Sequence, residues 1–441
     1  MIQLSGHYTY RKLLRYTFPS IVMMVFSSFY YVVDGFFVSN WTGTTQFAAV
    51  NFIWPVLMLL GGFGFMFGTG GSALIGKVLG ERKPEKASEI FSMLIYVSLG
   101  LGLFVSIAGI LLLKPIASML GAEGDMLHYS IQYGQIYLLS LPAVFLQAEF
   151  QGLCSTAGKP KLALYTTVAA GLTNIVLDAL FIAGFSWGVV GAAAASSLSQ
   201  CIGGFLPLFY FSRKNSSLLR LRKTKMDWKS LMQTCTNGFS ELLNNVSMAI
   251  VGILYNFQLL RIIGEDGIAA YGVLMYVNLV FTGIFIGYSV GTAPLVSFNF
   301  GAQDRDELHS LLTKSLTIIS VGSVLMFAAG ELLAKPLSIL YTGYSQSLLD
   351  ITLRAFFIYS FSFLFAGFGI FGSSFFTALN NGPVSAVISF LRTMVFEVAG
   401  VLILPLILDL DGVWLSIVVA EFLAGLVTAV FLLCKRKKYG Y

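Results

Sequence analysis

Long runs of apolar residues, separated by short polar breaks, follow one another along most of the chain. Twelve such runs occupy approximately residues 16–39, 47–76, 89–113, 128–157, 162–185, 187–212, 230–260, 268–298, 310–334, 350–379, 384–407 and 411–434. The breaks hold turn-forming residues, as at 40–43, 80–84, 158–160 and 380–383. Since a membrane-spanning helix needs about 20 mainly apolar residues, the pattern predicts twelve transmembrane helices, with both termini on one side of the membrane.

The composition supports this prediction. Of the 441 residues, 56% are hydrophobic and only 11% are charged, whereas a soluble globular protein carries about 25% charged residues. So few charges cannot cover a soluble body of this size, which excludes a soluble enzyme, a secreted module and a disordered chain. The four cysteines and three histidines show no metal-ligand spacing, and we expect neither a cofactor nor a resident metal beyond a transported sodium ion.

The lysines and arginines are unevenly distributed, and this indicates the orientation. If the N-terminus is cytoplasmic, only four of the 27 basic residues lie outside, namely Lys114, Arg261, Lys335 and Arg354. The positive-inside rule then predicts that both termini are cytoplasmic, in a plasma membrane or a bacterial inner membrane. The net charge of +6 is therefore a topology signal, and no nucleic-acid partner is expected.

The chain also contains an internal repeat. Small residues of the first half recur 221 positions later: Gly43, Ala48, Ala49, Gly62, Gly70 and Gly80 match Gly264, Ala269, Ala270, Gly283, Gly291 and Gly301. We predict an N-terminal six-helix lobe (1–212), a basic cytoplasmic linker (213–229) and a C-terminal six-helix lobe (230–441). Because six is even, the two lobes are parallel repeats about an axis along the membrane normal, as in transporters that bind substrate between their halves.

Several motifs resemble those of the multidrug and toxic compound extrusion (MATE) family. They are Val33-Asp34-Gly35, Gly68-Thr69-Gly70-Gly71-Ser72-Ala73-Leu74, Ala157-Gly158-Lys159-Pro160-Lys161 and Pro294-Leu295-Val296-Ser297-Phe298-Asn299-Phe300-Gly301-Ala302. The similarity covers essentially the whole chain in the expected order. It implies an all-α, V-shaped protein with twelve helices that exports cationic, lipophilic compounds and is driven by inward flow of protons or sodium ions.

Two carboxylates in the first half are candidates for coupling. A charged side chain costs at least about 2.5–3.5 kcal/mol in the middle of a membrane, so each one needs a reason. Asp34 and Asp178 lie about 9 and 10 Å below the outer ends of the first and fifth helices, and can share a cavity. Asn174 and Ser196 add oxygen atoms, which makes a set suited to a proton or a sodium ion. The resemblance implies that this is the coupling site; protonated, purely structural acids are the alternative.

A different set of residues in the membrane is a candidate for binding the substrate. Glu397 occupies the repeat position of Asn174, and Glu421 lies in the twelfth helix. We hypothesise that they pair with a positively charged substrate, with local hydrogen bonding of protonated glutamates as the alternative. Aromatic faces attract cations, and the candidate aromatic residues are Tyr255, Tyr271, Tyr276, Tyr288 and Phe145. Glu149 and Glu241 fit either the pathway or a solvated vestibule.

Together these observations predict an ion-coupled antiporter that exports small organic cations by alternating access, as a monomer in the lipid bilayer. A lipid-linked oligosaccharide flippase of the same superfamily is one alternative, but it needs cationic side chains in its cavity. An intramembrane enzyme is another, and it needs a nucleophile–base pair or metal ligands at depth. The sequence offers neither, so we expect a protein that is not an enzyme.

Overall fold

The computed structural model describes residues 4, 6–342 and 345–441, apart from the side chains of Thr44 and Glu265. These residues form helices and no strand. In chain order the α-helices are α1 (Tyr10–Trp41), α2 (Thr44–Gly80), α3 (Pro84–Met119), α4 (Gly124–Leu139), α5 (Leu141–Thr156), α6 (Pro160–Asp178), α7 (Gly188–Ser212), α8 (Trp228–Ile263), α9 (Glu265–Gly301), α10 (Arg305–Thr342), α11 (Gln346–Tyr359), α12 (Phe363–Ala378), α13 (Gly382–Phe390), α14 (Val398–Ile403) and α15 (Pro405–Tyr439). Eleven helical segments of this part of the chain are long and apolar enough to span a membrane, and up to twelve if one bent pair counts as a single span.

Some of the spans are not regular α-helices. The bent pair consists of α4 and α5, which meet at an angle of 59°, next to a proline at the start of α5. Two π-helical segments also interrupt the pattern: Ala179–Gly184 follows α6, and Leu391–Glu397 connects α13 to α14. Such wider turns often occur at functional sites, and both lie next to acidic residues that the sequence singles out.

Close backbone contacts join the first six spans to the last six. At Gly238 of α8, a Cβ atom would lie 1.9 Å from the carbonyl oxygen of Met66 in α2. At Gly70 of α2, a Cβ atom would lie 2.0 Å from the carbonyl oxygen of Thr234 in α8. Only glycine lets two helices approach this closely, so these residues determine how tightly the two halves fit.

A second contact of this kind involves two residues that the repeat relates to each other. A Cβ atom on Gly80 would lie 2.0 Å from the Phe298 carbonyl oxygen, and one on Gly301 would lie 2.0 Å from the Lys77 carbonyl oxygen. Gly80 and Gly301 are separated by the repeat interval of 221 positions. The same residue of each repeat therefore makes the same contact with the opposite half.

The N-terminal segment crosses from the first half to the second. The backbone N–H of Tyr8 donates to Oε1 of Glu307 (2.9 Å), and Nδ1 of His7 lies 2.8 Å from Oε2 of the same side chain. Nζ of Lys314 donates to the Tyr8 carbonyl oxygen. Glu307 and Lys314 belong to α10, so this clasp ties the segment before α1 to the opposite half.

The hydrophobic cores show where the halves meet and where they separate. One buried cluster includes residues of both halves, such as Leu74 and Leu295. A second contains residues 251–417 only, and a third contains residues 38–193 only. Among the described helices, inter-half hydrogen bonds extend no further along α1 than Ser28, which donates to the Leu279 carbonyl oxygen (3.0 Å). The halves therefore meet at the end that carries both termini and diverge toward the other end, which gives a V shape.

Candidate functional site

A cluster of polar side chains lies in the first half, where the halves diverge. Asp34 projects from α1 beyond Ser28, the last residue of α1 that bonds to the other half. Ser196 Oγ of α7 donates to Asp34 Oδ1 at 3.4 Å. The side chains of Asn174 and Asp178, both on α6, lie beside the Asp34 carboxyl group. The structure thus brings together the four residues that the sequence nominates for coupling.

Several oxygen atoms of this cluster have no hydrogen-bond partner. Asp178 and Asn174 are 0% and 2% exposed, yet both carboxylate oxygens of Asp178 and the amide oxygen of Asn174 lack a donor in bonding geometry. Buried polar atoms are normally paired, and two neighbouring carboxylates repel each other unless a proton or cation lies between them. The arrangement can therefore bind one small cation, either a proton shared by the carboxyl groups or a monovalent metal ion held by oxygen atoms.

Four tyrosines that the sequence reasoning missed surround this cluster. Tyr30 and Tyr31 of α1 stack with ring centroids 4.6 Å apart, and Tyr133 and Tyr137 of α4 stack at 6.2 Å. All four interact electrostatically with Asp34. Their spacing was the available signal, since Tyr30 precedes Asp34 by four positions and Tyr133 precedes Tyr137 by four, which places each pair on one helical face.

An ion pair lies within the second half. Arg392 Nε is 2.9 Å from Glu421 Oε2, and Arg392 Nη2 is 2.8 Å from Glu421 Oε1. The two side chains are 15% and 4% exposed. This bidentate pair corrects the prediction that Glu421 is free to bind a substrate, because its charge is already neutralised by a guanidinium.

Glu397 is the unpaired carboxylate of this region. It ends the π-helical segment Leu391–Glu397, and in the described part of the chain it takes part in no hydrogen bond or ion pair. It interacts electrostatically with Tyr255 of α8, Tyr271 of α9 and Tyr359 of α11. Tyr255 and Tyr271 stack at 4.8 Å with an interplanar angle of 10°, and these two predicted aromatic residues lie beside Glu397.

The other predicted aromatic residues lie elsewhere. Tyr276 is 45% exposed and faces Tyr341. The hydroxyl group of Tyr288 donates to Ser315 Oγ (2.9 Å) within the core shared by the two halves. Phe145 is fully buried in the core of the first half. The structure does not bring these three rings together with Glu397 or with one another.

Glu149 and Glu241, for which the sequence allowed either the pathway or a solvated vestibule, have different environments. Glu149 is 0% exposed, both its oxygens lack a partner in bonding geometry, and it lies near Ser98 of α3. Glu241 of α8 is partly exposed and lies within electrostatic range of Arg392. Glu149 is therefore enclosed by the first half, and Glu241 lies near the Arg392–Glu421 ion pair of the second half.

An all-α protein with up to twelve spans, two diverging halves and carboxylates beyond their contact has the architecture of a membrane transporter. A family model described as MatE matches residues 19–180 and 241–403. The chain belongs to the MatE family, which confirms the family predicted from its motifs.

Comparisons of whole chains agree with this assignment. The chain is 27% identical to the multidrug export protein MepA of Staphylococcus haemolyticus, over 89% of each protein. It is 26% identical to MepA of Staphylococcus saprophyticus, over 95% of this chain and 92% of the relative. An outward-facing structure of a multidrug resistance MATE family transporter is similar with a TM-score of 0.93, 23% identity and coverage of 99% of this chain and 98% of that one. The predicted MATE fold is confirmed.

Proposed function

We propose that this protein exports small organic compounds, mainly lipophilic cations, in exchange for a proton or a sodium ion. Family membership supports a transport function. Curated relatives that match along almost their whole length are multidrug export proteins, which supports organic compounds of varied structure as substrates. The halves would expose the sites between them alternately to the two sides of the membrane.

The observation that carries the coupling proposal is the Asp34–Asp178 cluster. Its two adjacent carboxyl groups, with unpartnered oxygen atoms on Asp178, lie where the halves diverge. An empty cluster carries negative charge, and each charge enclosed by the membrane costs at least about 2.5–3.5 kcal/mol. Binding a proton or sodium ion removes that cost. Closure of the halves around this site is thus favoured when the ion is bound, which couples ion entry to the conformational change.

The balance of buried charge supports cationic substrates. Arg392 is engaged by Glu421, whereas Asp34, Asp178 and Glu397 form no ion pair with a basic side chain among the described residues. A cleft lined by carboxylates raises the local concentration of cations. A flippase for anionic, lipid-linked sugars requires the opposite sign of charge, so this balance favours export of organic cations.

The proposal also covers the orientation of the chain in the membrane and its division into two six-helix lobes. We assign the lobes to residues 1–212 and 230–441 and place both termini in the cytoplasm. The basic linker 213–229 supports this orientation. It is held against α3, because the backbone N–H of Arg222 donates to Ser92 Oγ at 2.9 Å.

Transport in proteoliposomes tests the coupling assignment. Uptake of the cationic dye ethidium is measured with an imposed pH gradient, an imposed sodium gradient or neither. Asp34→Asn and Asp178→Asn should each abolish the gradient-driven uptake, and the gradient that drives the unaltered protein identifies the ion. Asp125→Asn, which alters an exposed acid at the start of α4, is the matched control. Undiminished gradient-driven uptake in both Asp34→Asn and Asp178→Asn proteins contradicts the coupling role.

A further inference from the structure

A groove of about 510 Å³ lies between the start of α3 and the end of the basic linker 213–229. It is at the end of the molecule where the halves meet, and its volume is within the range of sites that bind small ligands. The charged residues that line it are Lys86 and Glu89 of α3 together with Lys223, Lys225 and Asp227 of the linker.

The linker is packed against α3, so the groove is preformed. The backbone N–H of Arg222 donates to Ser92 Oγ (2.9 Å), and the backbone N–H of Asp227 donates to the sulfur atom of Met93 (3.2 Å). Leu219 of the linker is fully buried in the core that the two halves share. These contacts fix the linker at both ends of its basic stretch.

The charges in the groove favour an anion. Lys86, Lys223 and Lys225 are exposed, and in the described part of the chain none of them forms an ion pair or a side-chain hydrogen bond. Asp227 interacts electrostatically with Lys86, but its carboxylate is occupied by three hydrogen bonds at the start of α8. Glu89 is the other acid. Three ammonium groups thus face two carboxylates, and a cleft with excess positive charge concentrates anions.

An exposed stripe of α3 continues from the groove toward the middle of the membrane. Tyr96, Gly100, Leu103 and Ile107 follow Glu89 on one helical face, and all four are exposed. At Gly100 no atom beyond the adjoining residues and backbone of its own helix lies within 4 Å of a Cβ position. From Tyr96 to Ile107 the stripe is about 16 Å long, close to the depth of one leaflet, which is about 15 Å. An acyl chain can therefore lie along it.

A tryptophan indicates that the groove is at the level of the lipid headgroups. Trp228, the first residue of α8, is exposed and follows the groove residue Asp227 directly. Met226, on the other side of Asp227, is exposed as well. Exposed tryptophans are enriched where a membrane meets water, so the lysines of the groove lie beside the headgroup layer.

The second half forms a groove at the position that the repeat relates to this one. It has a volume of about 680 Å³ and is lined by the basic residues Arg305, Arg436 and Lys437. Its helix α10 starts 221 positions after α3, at Arg305. The exposed residues that continue from its His309 along one face of α10 carry hydroxyl groups: Thr313, Thr317 and Ser320. Of these two grooves, the first therefore combines positive charge with an apolar stripe.

We propose that the groove between α3 and the linker binds an anionic phospholipid. The phosphate lies beside Lys86, Lys223 and Lys225, and an acyl chain follows the stripe of α3. In the proposed orientation the lipid belongs to the cytoplasmic leaflet, and basic pockets on that side suit anionic headgroups. A soluble phosphate would match the lysines but leave the stripe unused. The lipid site is independent of the ion and substrate sites proposed above.

Native mass spectrometry of the full-length protein in detergent tests this site. Binding of phosphatidylglycerol is compared with that of phosphatidylcholine with the same acyl chains, and phosphatidylglycerol should bind more tightly. In Lys86→Gln/Lys223→Gln/Lys225→Gln protein, its binding should weaken by about 100-fold, since each basic residue near anionic lipid contributes about fivefold. The corresponding triple substitution by arginine should preserve binding.

A charge-matched control separates a defined site from general attraction. Lys161→Gln/Lys214→Gln/Lys229→Gln removes the same charge from exposed lysines outside the groove, and it should leave phosphatidylglycerol binding unchanged. Glu89→Gln removes an acid from the groove and should tighten binding by about fivefold. Structural damage does not produce such a gain, so this variant tests the sign of the argument.

The contrary outcomes are equally specific. Equal binding of the two lipids would overturn the site, and so would equal weakening in the two lysine-to-glutamine triple variants, because the attraction would then be spread over the surface. Binding of sn-glycerol 3-phosphate as tight as that of phosphatidylglycerol would show a site for a soluble anion and overturn the lipid. Since none of these measurements involves transport, failure of the antiport proposal leaves their result unaffected.

Discussion

The tight glycine contact between α2 and α8 provides the sharpest test of how the halves fit together. In Gly238→Ala protein, the new Cβ atom would lie 1.9 Å from the Met66 carbonyl oxygen. This neighbour is backbone and cannot rotate away. The added methyl group therefore has to push α2 and α8 apart at the end where the halves meet.

The size of the effect follows from that distance. Ordinary contacts of a Cβ atom begin at 3.4 Å, so the helices must separate locally by about 1.5 Å. Overpacking of this kind costs about 1–3 kcal/mol. Because the cost falls on the arrangement in which this end is closed, the ratio of closed to open molecules should fall by about 5- to 150-fold.

Pulsed electron paramagnetic resonance can measure this shift. Spin labels are attached at Lys83→Cys, between α2 and α3, and at Asp304→Cys, between α9 and α10. Both positions are exposed and belong to opposite halves. The three native cysteines that are not fully buried are first replaced by serine: Cys201, Cys235 and Cys434. In Gly238→Ala protein we expect a new, longer distance population between the labels.

The same helix offers a matched control. At Gly252 of α8, no atom beyond the adjoining residues and backbone of its own helix lies within 4 Å of the position that a Cβ atom would take, so Gly252→Ala should leave the label distances unchanged. Equal distance distributions for Gly238→Ala and the unaltered protein would refute the argument, since the contact would then not limit the approach of the halves. A shift of equal size in Gly252→Ala protein would refute it too, since helix propensity would then be the cause.

Two other changes test the second half. Arg392→Met leaves the buried carboxylate of Glu421 unpaired, which should lower the free energy of unfolding by about 3–5 kcal/mol. In thermal unfolding, the double variant Arg392→Met/Glu421→Gln should recover most of the lost stability. Equal losses of stability in the single and double variants would contradict the role of the ion pair. Asp227 caps α8 by accepting hydrogen bonds from Ser230, which lower its pKa. Asp227→Ala should cost about 0.5–2 kcal/mol. A group with a lowered folded-state pKa stabilises above its unfolded pKa and loses this effect as pH falls through its folded pKa. The variant and the unaltered protein should therefore converge in stability in acid, and a difference that is constant with pH would contradict the cap.

The hydrophobic pattern predicted the spans well because a membrane imposes a length and an apolar composition on each of them. It also predicted that Asp34 and Asp178 lie close together, since the level of a residue follows from its position along a helix. The grouping of these side chains with Asn174 and Ser196 could be predicted from the sequence for the same reason. Regular helical geometry is sufficient to predict which side chains lie together in this part of the site.

The second half departs from regular helical geometry, and there the sequence was less informative. A periodicity of 3.6 residues places Arg392 and Glu397 on different faces, whereas both belong to a π-helical segment and interact electrostatically. The pairing of Arg392 with Glu421 joins residues 29 positions apart, and no spacing rule along a single helix predicts it. The bend between α4 and α5 likewise depends on packing, although Pro142 at the start of α5 is evident in the sequence.

The N-terminal clasp has a consequence for the motion of the molecule. In the proposed alternating-access cycle, opening the end that carries both termini would separate Tyr8 from Glu307, and the bonds that Glu307 and Lys314 make to the segment before α1 would break and form again. Each hydrogen bond to a charged group is worth about 1.5–3 kcal/mol. The clasp therefore stabilises the conformation in which the end that carries both termini is closed. Amide hydrogen exchange at Tyr8 should then be faster during transport, and an unchanged exchange rate would show that the bonds of the clasp remain formed.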